Sequence, residues 1–147
     1  MADTIAIASD HAGYPLKSLV AGWLRERGLT VLDLGCDGPD SVDYPDFGYA
    51  VATAVADGRA TQGVLVCGSG IGISIAANRH PAARAALCQS GLMARLAREH
   101  NDANILVMGA RLIGEEVARD CLDQFLNTPF AGGRHQRRID KLSNPVV

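Results

Sequence analysis

At 147 residues the chain has room for one compact core and not for two of ordinary size. Lys plus Arg is 14 against 16 Asp plus Glu, a formal charge of −2, which lacks the broad basic face of a dedicated nucleic-acid binder. A hydrophobic share of 48% with 20% charged residues is that of a folded globule rather than a disordered tail. No apolar run approaches the ~20 residues of a membrane span. The lead Met1-Ala2-Asp3-Thr4 carries no signal-peptide pattern, so a soluble, cytoplasmic protein is expected. Cys36, Cys67, Cys88 and Cys121 form no C-x-x-C pair and read as free thiols in a reducing compartment. His11, His80, His100 and His135 do not supply the ligand spacing of a structural zinc site.

Short apolar runs alternate with helix-length segments, the pattern of a parallel sheet with helices packed on it. Ile5 to Ala8 is the first strand. Leu16, Leu19, Val20, Trp23 and Leu24 recur at helical spacing, with Pro15 near the start and Gly28 just past the end. Thr30 to Leu34 reads as a strand. Phe47, Ala50, Val51, Ala54 and Val55 mark a helix with Asp46 as its expected N-cap, stopped near Gly58. Gly63 to Cys67 is a buried-type strand, and Ile73 to Asn78 a helix. Ala85 to Cys88, Leu92 to His100, and Ile105 to Gly109 read as strand, helix and strand. Val117, Cys121, Leu122 and Phe125 place a further helix, closed by Pro129. Arg134 to Leu142 reads as a basic, helical C-terminal extension. The expectation is a single-domain, doubly wound, Rossmann-like α/β fold spanning 1–147. It has five parallel strands with helices on both faces, and ligands would bind at the carboxyl ends of the strands.

Candidate chemistry collects at those ends. Gly68, Ser69, Gly70, Ile71 and Gly72 lie between a buried strand and a helix start. There, successive backbone N–H groups can converge on an anion or a developing oxyanion. The Gly-Lys-Ser/Thr of a P-loop is absent. The G-x-G-x-G spacing with Cys88-Gln89 after the next strand does not fit a dinucleotide site. Cys67, immediately before the loop, would gain thiolate character from an amide nest, although its position fits an ordinary buried thiol equally well. Asp10 and His11 follow the first strand and can orient a hydroxylated substrate or assist proton transfer; Asp10 can also serve the loop or cap the next helix. Tyr44 precedes the second helix and can touch substrate or cover core. His100 and Asn101 end the fourth helix, where a histidine by itself reads as a favourable charge at the helix terminus. Arg111 follows the fifth strand. Arg134 and Arg138, four apart on one helical face, could join it in binding phosphate, or form a solvated surface. Cys88 and Cys121 read as structural.

The motifs Ser9-Asp10-His11-Ala12-Gly13, Asp43-Tyr44-Pro45, Cys67-Gly68-Ser69-Gly70-Ile71-Gly72, Arg98-Glu99-His100-Asn101 and Gly133-Arg134-His135-Gln136-Arg137-Arg138, in this order, resemble the ribose-5-phosphate isomerase B family. That family also holds the galactose-6-phosphate isomerase subunits, and the resemblance runs from about Ile5 to Leu142. It implies a cofactor-free, metal-free interconversion of ribose 5-phosphate and ribulose 5-phosphate through an enediolate, a step of the pentose phosphate pathway. By the resemblance, Cys67 is the base between carbons 1 and 2, His100 the acid that opens the furanose ring, and Asp10 a partner in handling the substrate. Ser69 and the backbone of Gly68 to Gly72 would stabilise the enediolate. His11, Arg111, Arg134 and Arg138 would hold the phosphate, and Tyr44 and Asn101 the sugar. One branch of the family carries a glutamate base where this chain has Ile73, so the resemblance is to the cysteine branch. It further implies a homodimer or homotetramer with the site across a subunit interface, and neither a nucleic-acid nor a membrane partner. A tetrose, allose or galactose phosphate isomerase, and a non-catalytic phosphosugar-binding domain, remain alternatives.

Overall fold

A computed structural model describes residues 3–147, so Met1 and Ala2 of the acidic lead lie outside the described residues. The order of elements is β1 (Thr4–Ser9), α1 (Tyr14–Glu26), β2 (Thr30–Asp33), α2 (Tyr44–Ala56), β3 (Gln62–Cys67), α3 (Ile71–Ala77), β4 (Ala85–Leu87), α4 (Gly91–Asn101), β5 (Ile105–Gly109), α5 (Glu115–Asn127) and α6 (Arg134–Ser143). All strand pairs are parallel, and the strands lie in the order β2-β1-β3-β5-β4. The chain steps from β1 to β2 on one side and then to β3 on the other. The topological switch point, where doubly wound folds bind ligands, therefore lies between the carboxyl ends of β1 and β3. Register sets Ser9 beside Val66 and Cys67 beside Gly109, so β1, β3 and β5 end at one level.

Alternation along the strands divides the core into two layers. Ile5, Ile7, Val64, Val66, Leu106 and Met108 face Leu16, Val20 and Leu24 of α1 and Cys121, Leu122 and Phe125 of α5. Ala6, Ala8, Leu65, Ile105 and Val107 face Val51 of α2 and Ile73 of α3. Each large side chain buried this way contributes about 1.5–3 kcal/mol of transfer free energy. The small Ala6 and Ala8 let α2 sit close to the sheet, directly behind β1 and β3. α6 buries only Ile139 and lies on the surface against α4.

Two expected starts move. The helix expected from Phe47 with Asp46 as N-cap begins at Tyr44 instead, with Asp43 at the N-cap position and Asp46 inside the first turn. Pro45 explains the shift, because its fixed φ and missing N–H suit the first helical turn. α3 begins at Ile71 rather than Ile73, because the left-handed Gly70 (φ 79°) already turns the chain into the helix.

Candidate active site

The glycine loop is shaped around the Cys67 sulfur. Sγ accepts the Gly70 N–H at 3.1 Å, and the Ser69 hydroxyl oxygen accepts the Ile71 N–H at 3.1 Å. Gly70 can make its turn only without a side chain. A Cβ would stand 2.5 Å from Leu87 Cδ1 and 3.0 Å from the Met108 carbonyl carbon. The expectation that the whole run of amides faces an oxyanion is therefore corrected: those of Gly70 and Ile71 are spent inside the loop. Among the described residues, the amides of Gly68, Ser69 and Gly72 have no backbone acceptor. Ser69 Oγ, already accepting, keeps its own O–H to donate.

Around this loop lies a cleft of about 590 Å³ lined by Asp10, His11, Tyr44, Cys67, Gly68, Ser69, Ile71, Gly72 and Arg111, with Ala12, Ile75 and Leu112. The volume falls in the usual range of small-molecule sites. Asp10 is 8% exposed and its Oδ1 accepts the Gly13 N–H at 3.0 Å, so it shapes the loop while facing the cleft. Gly13 is the N-cap of α1, so this bond also ties Asp10 to the start of that helix. His11 Nδ1 accepts the Val42 N–H at 3.2 Å. This assigns the proton of the neutral ring to Nε2 and makes His11 a donor to whatever fills the cleft. The Arg111 guanidinium lies over Gly68, 3.2 Å from where a Cβ would stand, and the Tyr44 ring packs more closely still on Gly72, 2.5 Å from where its Cβ would stand.

His100, Asn101, Arg134 and Arg138 do not line this cleft. A helix following a parallel strand runs back across the sheet, so α4 carries His100 roughly 14 Å along its axis from the helix start at the carboxyl edge. His100 instead stacks on His135 of α6, ring centroids 4.6 Å apart, and Arg134 and Arg138 are exposed on the same helix. The chain thus presents two separate groups of candidate residues. One lies at the mouth of the sheet and the other on α4 and α6.

A larger cleft, about 770 Å³, opens at the amino-terminal edge near Gln62, Arg84, Arg98, Asp102 and Asn104. Its arginines are committed: Arg98 donates to Asp102 Oδ1 at 2.8 Å and to the Ala103 and Thr128 carbonyls, and Arg84 to the Asp102 carbonyl at 2.9 Å. That cleft carries no nucleophile or free cation comparable to Cys67 and Arg111. The structural reading of two thiols holds. Burial first, then neighbouring Cys121, pushes the Cys88 thiol up to about 12, and burial first, then Asp120, pushes Cys121 up to about 11.

Three contributors lay beyond the sequence reading. The Val42 amide orients His11, and Ile75 and Leu112 give the cleft apolar walls; nothing in the residue pattern marked them. Lys17 did leave a signal, as a charge on the apolar stripe of α1. It is 2% exposed, and its Nζ donates to Asp33 at 2.8 Å and to the Cys36 carbonyl at 2.6 Å, fixing the segment that leads to Tyr44.

Comparison with known proteins gives the family. A family described as Ribose/Galactose Isomerase matches residues 5–142. Ribose-5-phosphate isomerase B of Escherichia coli is 42% identical over 139 residues, covering 95% of this chain and 93% of that protein. The solved structure of Clostridium thermocellum ribose-5-phosphate isomerase B is 51% identical, with a TM-score of 0.94 over 95% of each chain. That of Mycoplasma genitalium ribose-5-phosphate isomerase B with bound ribulose-5-phosphate is 42% identical, with a TM-score of 0.91 over 95% of this chain and 93% of that one. With matches of this identity across nearly its full length, the chain belongs to the ribose/galactose isomerase family.

Proposed function

We propose that this protein is an aldose–ketose isomerase that interconverts ribose 5-phosphate and ribulose 5-phosphate, with Cys67 as the base. The observation that carries the reading is the Cys67 sulfur, which accepts an amide N–H at 3.1 Å at the floor of a cleft walled by Asp10, His11 and Arg111. The reaction moves one proton from carbon 2 to carbon 1 and one from the carbon-2 hydroxyl to the oxygen on carbon 1. The thiolate takes hydrogen from carbon 2 of the open-chain aldose and returns it to carbon 1, with negative charge collecting on the sugar oxygens in between. Preorganised donors act on charge that appears only on the way to the intermediate, and each such donor is worth about 10²–10³ in rate. The Ser69 hydroxyl and the amides of Gly68, Ser69 and Gly72 are suited to that task. Arg111, with the His11 Nε2–H, is suited to the phosphate, which anchors the substrate remote from the reacting carbons. Tyr44 would cover the sugar.

In solution ribose 5-phosphate is mainly a furanose, so an acid must protonate the ring oxygen before isomerisation. Asp10 is at hand; His100 is at the far end of α4. We therefore assign completion of the site to a second copy of the chain, whose His100, Asn101, Arg134 and Arg138 would enter this cleft. Ile71, Ile75 and Leu112, each more than half exposed around the cleft, and Leu142 on α6 are apolar surfaces that such a dimer would cover. A two-fold arrangement builds two equivalent sites. Four unpaired cysteines fit a reducing, cytoplasmic setting.

The test is turnover in deuterated water. Wild-type protein is expected to interconvert the two pentose phosphates and to carry solvent deuterium into them. Cys67→Ala should lose about 10²–10⁴ of both rates while still binding phosphosugar. Binding without exchange by the wild type would leave a phosphosugar-binding domain instead. Faster turnover of a four- or six-carbon phosphosugar would reassign the substrate.

A further inference from the structure

Among the described residues, the acid proposed above lacks the usual means of orientation. A catalytic imidazole is ordinarily held by a hydrogen bond from its second ring nitrogen to a carboxylate or carbonyl. His100 is instead held by a ring: the His135 imidazole lies against it with centroids 4.6 Å apart and an interplanar angle of 17°.

The scaffold beneath both rings is fixed. The end of α4 is clamped by Asp102, in the left-handed region (φ 44°), whose carboxylate accepts from Arg98 and whose carbonyl accepts from Arg84. The Ala131 N–H donates to the Glu99 carbonyl at 3.1 Å, tying the approach to α6 onto the last turn of α4. On α6, His135 shares a face with the buried Ile139 four residues on, and that face packs on α4. Arg134 and Arg138 share the neighbouring, exposed face. His135 neighbours both arginines on the helix, but its ring is turned onto His100 while the side chains of Arg134 and Arg138 stay exposed.

We propose that His135 is a positioning residue for His100, its ring acting as the platform that holds the acid in the orientation that reaches the ring oxygen of the sugar. The inference rests on the reading of His100 as the ring-opening acid. Desolvation first, then the charges of Arg134, His100 and Arg138 against the opposing Glu99, keeps the His135 imidazole below its ordinary value. A neutral aromatic platform can stack on His100 in either protonation state, and it favours the cation over its face rather than repelling it.

Ribulose 5-phosphate offers a control, because with its 5-hydroxyl esterified it cannot close to a furanose and needs no ring-opening acid. His135→Ala is expected to lower kcat on ribose 5-phosphate about tenfold with KM within about twofold, since small misplacements of a reacting group cost rate rather than affinity. Deuterium exchange into ribulose 5-phosphate should stay within about twofold of wild type. His135→Phe, which keeps the platform, should restore most of the loss. His135→Ala should add nothing in a His100→Ala background. Unchanged kcat in His135→Ala beside a His100→Ala that has lost activity would overturn the inference alone. So would a raised KM with normal kcat, failure of Phe to rescue, or additive losses in the double variant. Wild-type turnover by His100→Ala would overturn the parent reading and the inference with it.

Discussion

Cys67 differs from the other buried cysteines in what its sulfur touches, not in how deeply it lies. It is 5% exposed, against 1% for Cys88 and 0% for Cys121. Its sulfur accepts an amide N–H, a bond that strengthens when the sulfur is an anion. Cys88 Sγ instead donates to the Ala86 carbonyl at 3.6 Å, which only the protonated thiol can do. This contrast predicts an alkaline weakness in the fold. With their values raised to about 12 and about 11 in the folded chain, Cys88 and Cys121 keep protons that the unfolded chain releases above the ordinary 9.0. Stability is therefore intact below pH 9 and falls from there, to about 11 for Cys121 and about 12 for Cys88. Denaturant midpoints measured from pH 7 upward should decline past 9. Cys88→Ala, though less stable at neutral pH, should decline less steeply; a parallel decline would place the alkaline loss elsewhere.

At the scale of elements, the loop between β3 and α3 depends on one backbone conformation. Gly70 sits at φ 79° with Leu87 and Met108 where a side chain would go. Gly70→Ala must move backbone as well as a flexible side chain, so a loss of about 1–3 kcal/mol in stability is expected. Turnover should fall further than stability alone explains, because the Gly70 amide that meets the sulfur moves with the loop. Thermal melts beside kinetics at 25 °C would separate the two; a stable variant with full activity would mean the loop tolerates another path. Much of this frame was legible in the residues. Buried runs such as Val64-Leu65-Val66 have no polar alternation to mislead, and Pro15 and Gly28 bracket α1. The lateral order was not legible: β4 (AAL) is shorter and less apolar than β5 (ILVMG), but both lack polar alternation, and chain order alone does not say that β5 lies between β3 and β4. Cys67, Asp10 and Arg111 could be placed at one edge from connectivity alone. The same connectivity puts the end of α4 at the opposite edge, which is why grouping His100 with them from motif order merges two places in the chain.

That separation bears on the whole molecule. A thiol at the mouth of the sheet and a histidine at the far end of α4 belong to one reaction only if two chains share it. Two-fold pairing then gives each site a Cys67 from one subunit and a His100 from the other. Cys67→Ala and His100→Asn homodimers would each have both sites disabled, in different halves. When the two are unfolded together and refolded as an equal mixture, about half the dimers are mixed, and in each of these one site has both residues intact while the other has neither. The mixture should recover about a quarter of wild-type activity, although neither parent has more than a trace. A site contained in one chain could not behave this way, for no chain in the mixture carries both residues. Activity no greater than the sum of the parents, with mixed dimers present by native mass spectrometry, would return His100 to its own subunit's cleft or remove it from the reaction.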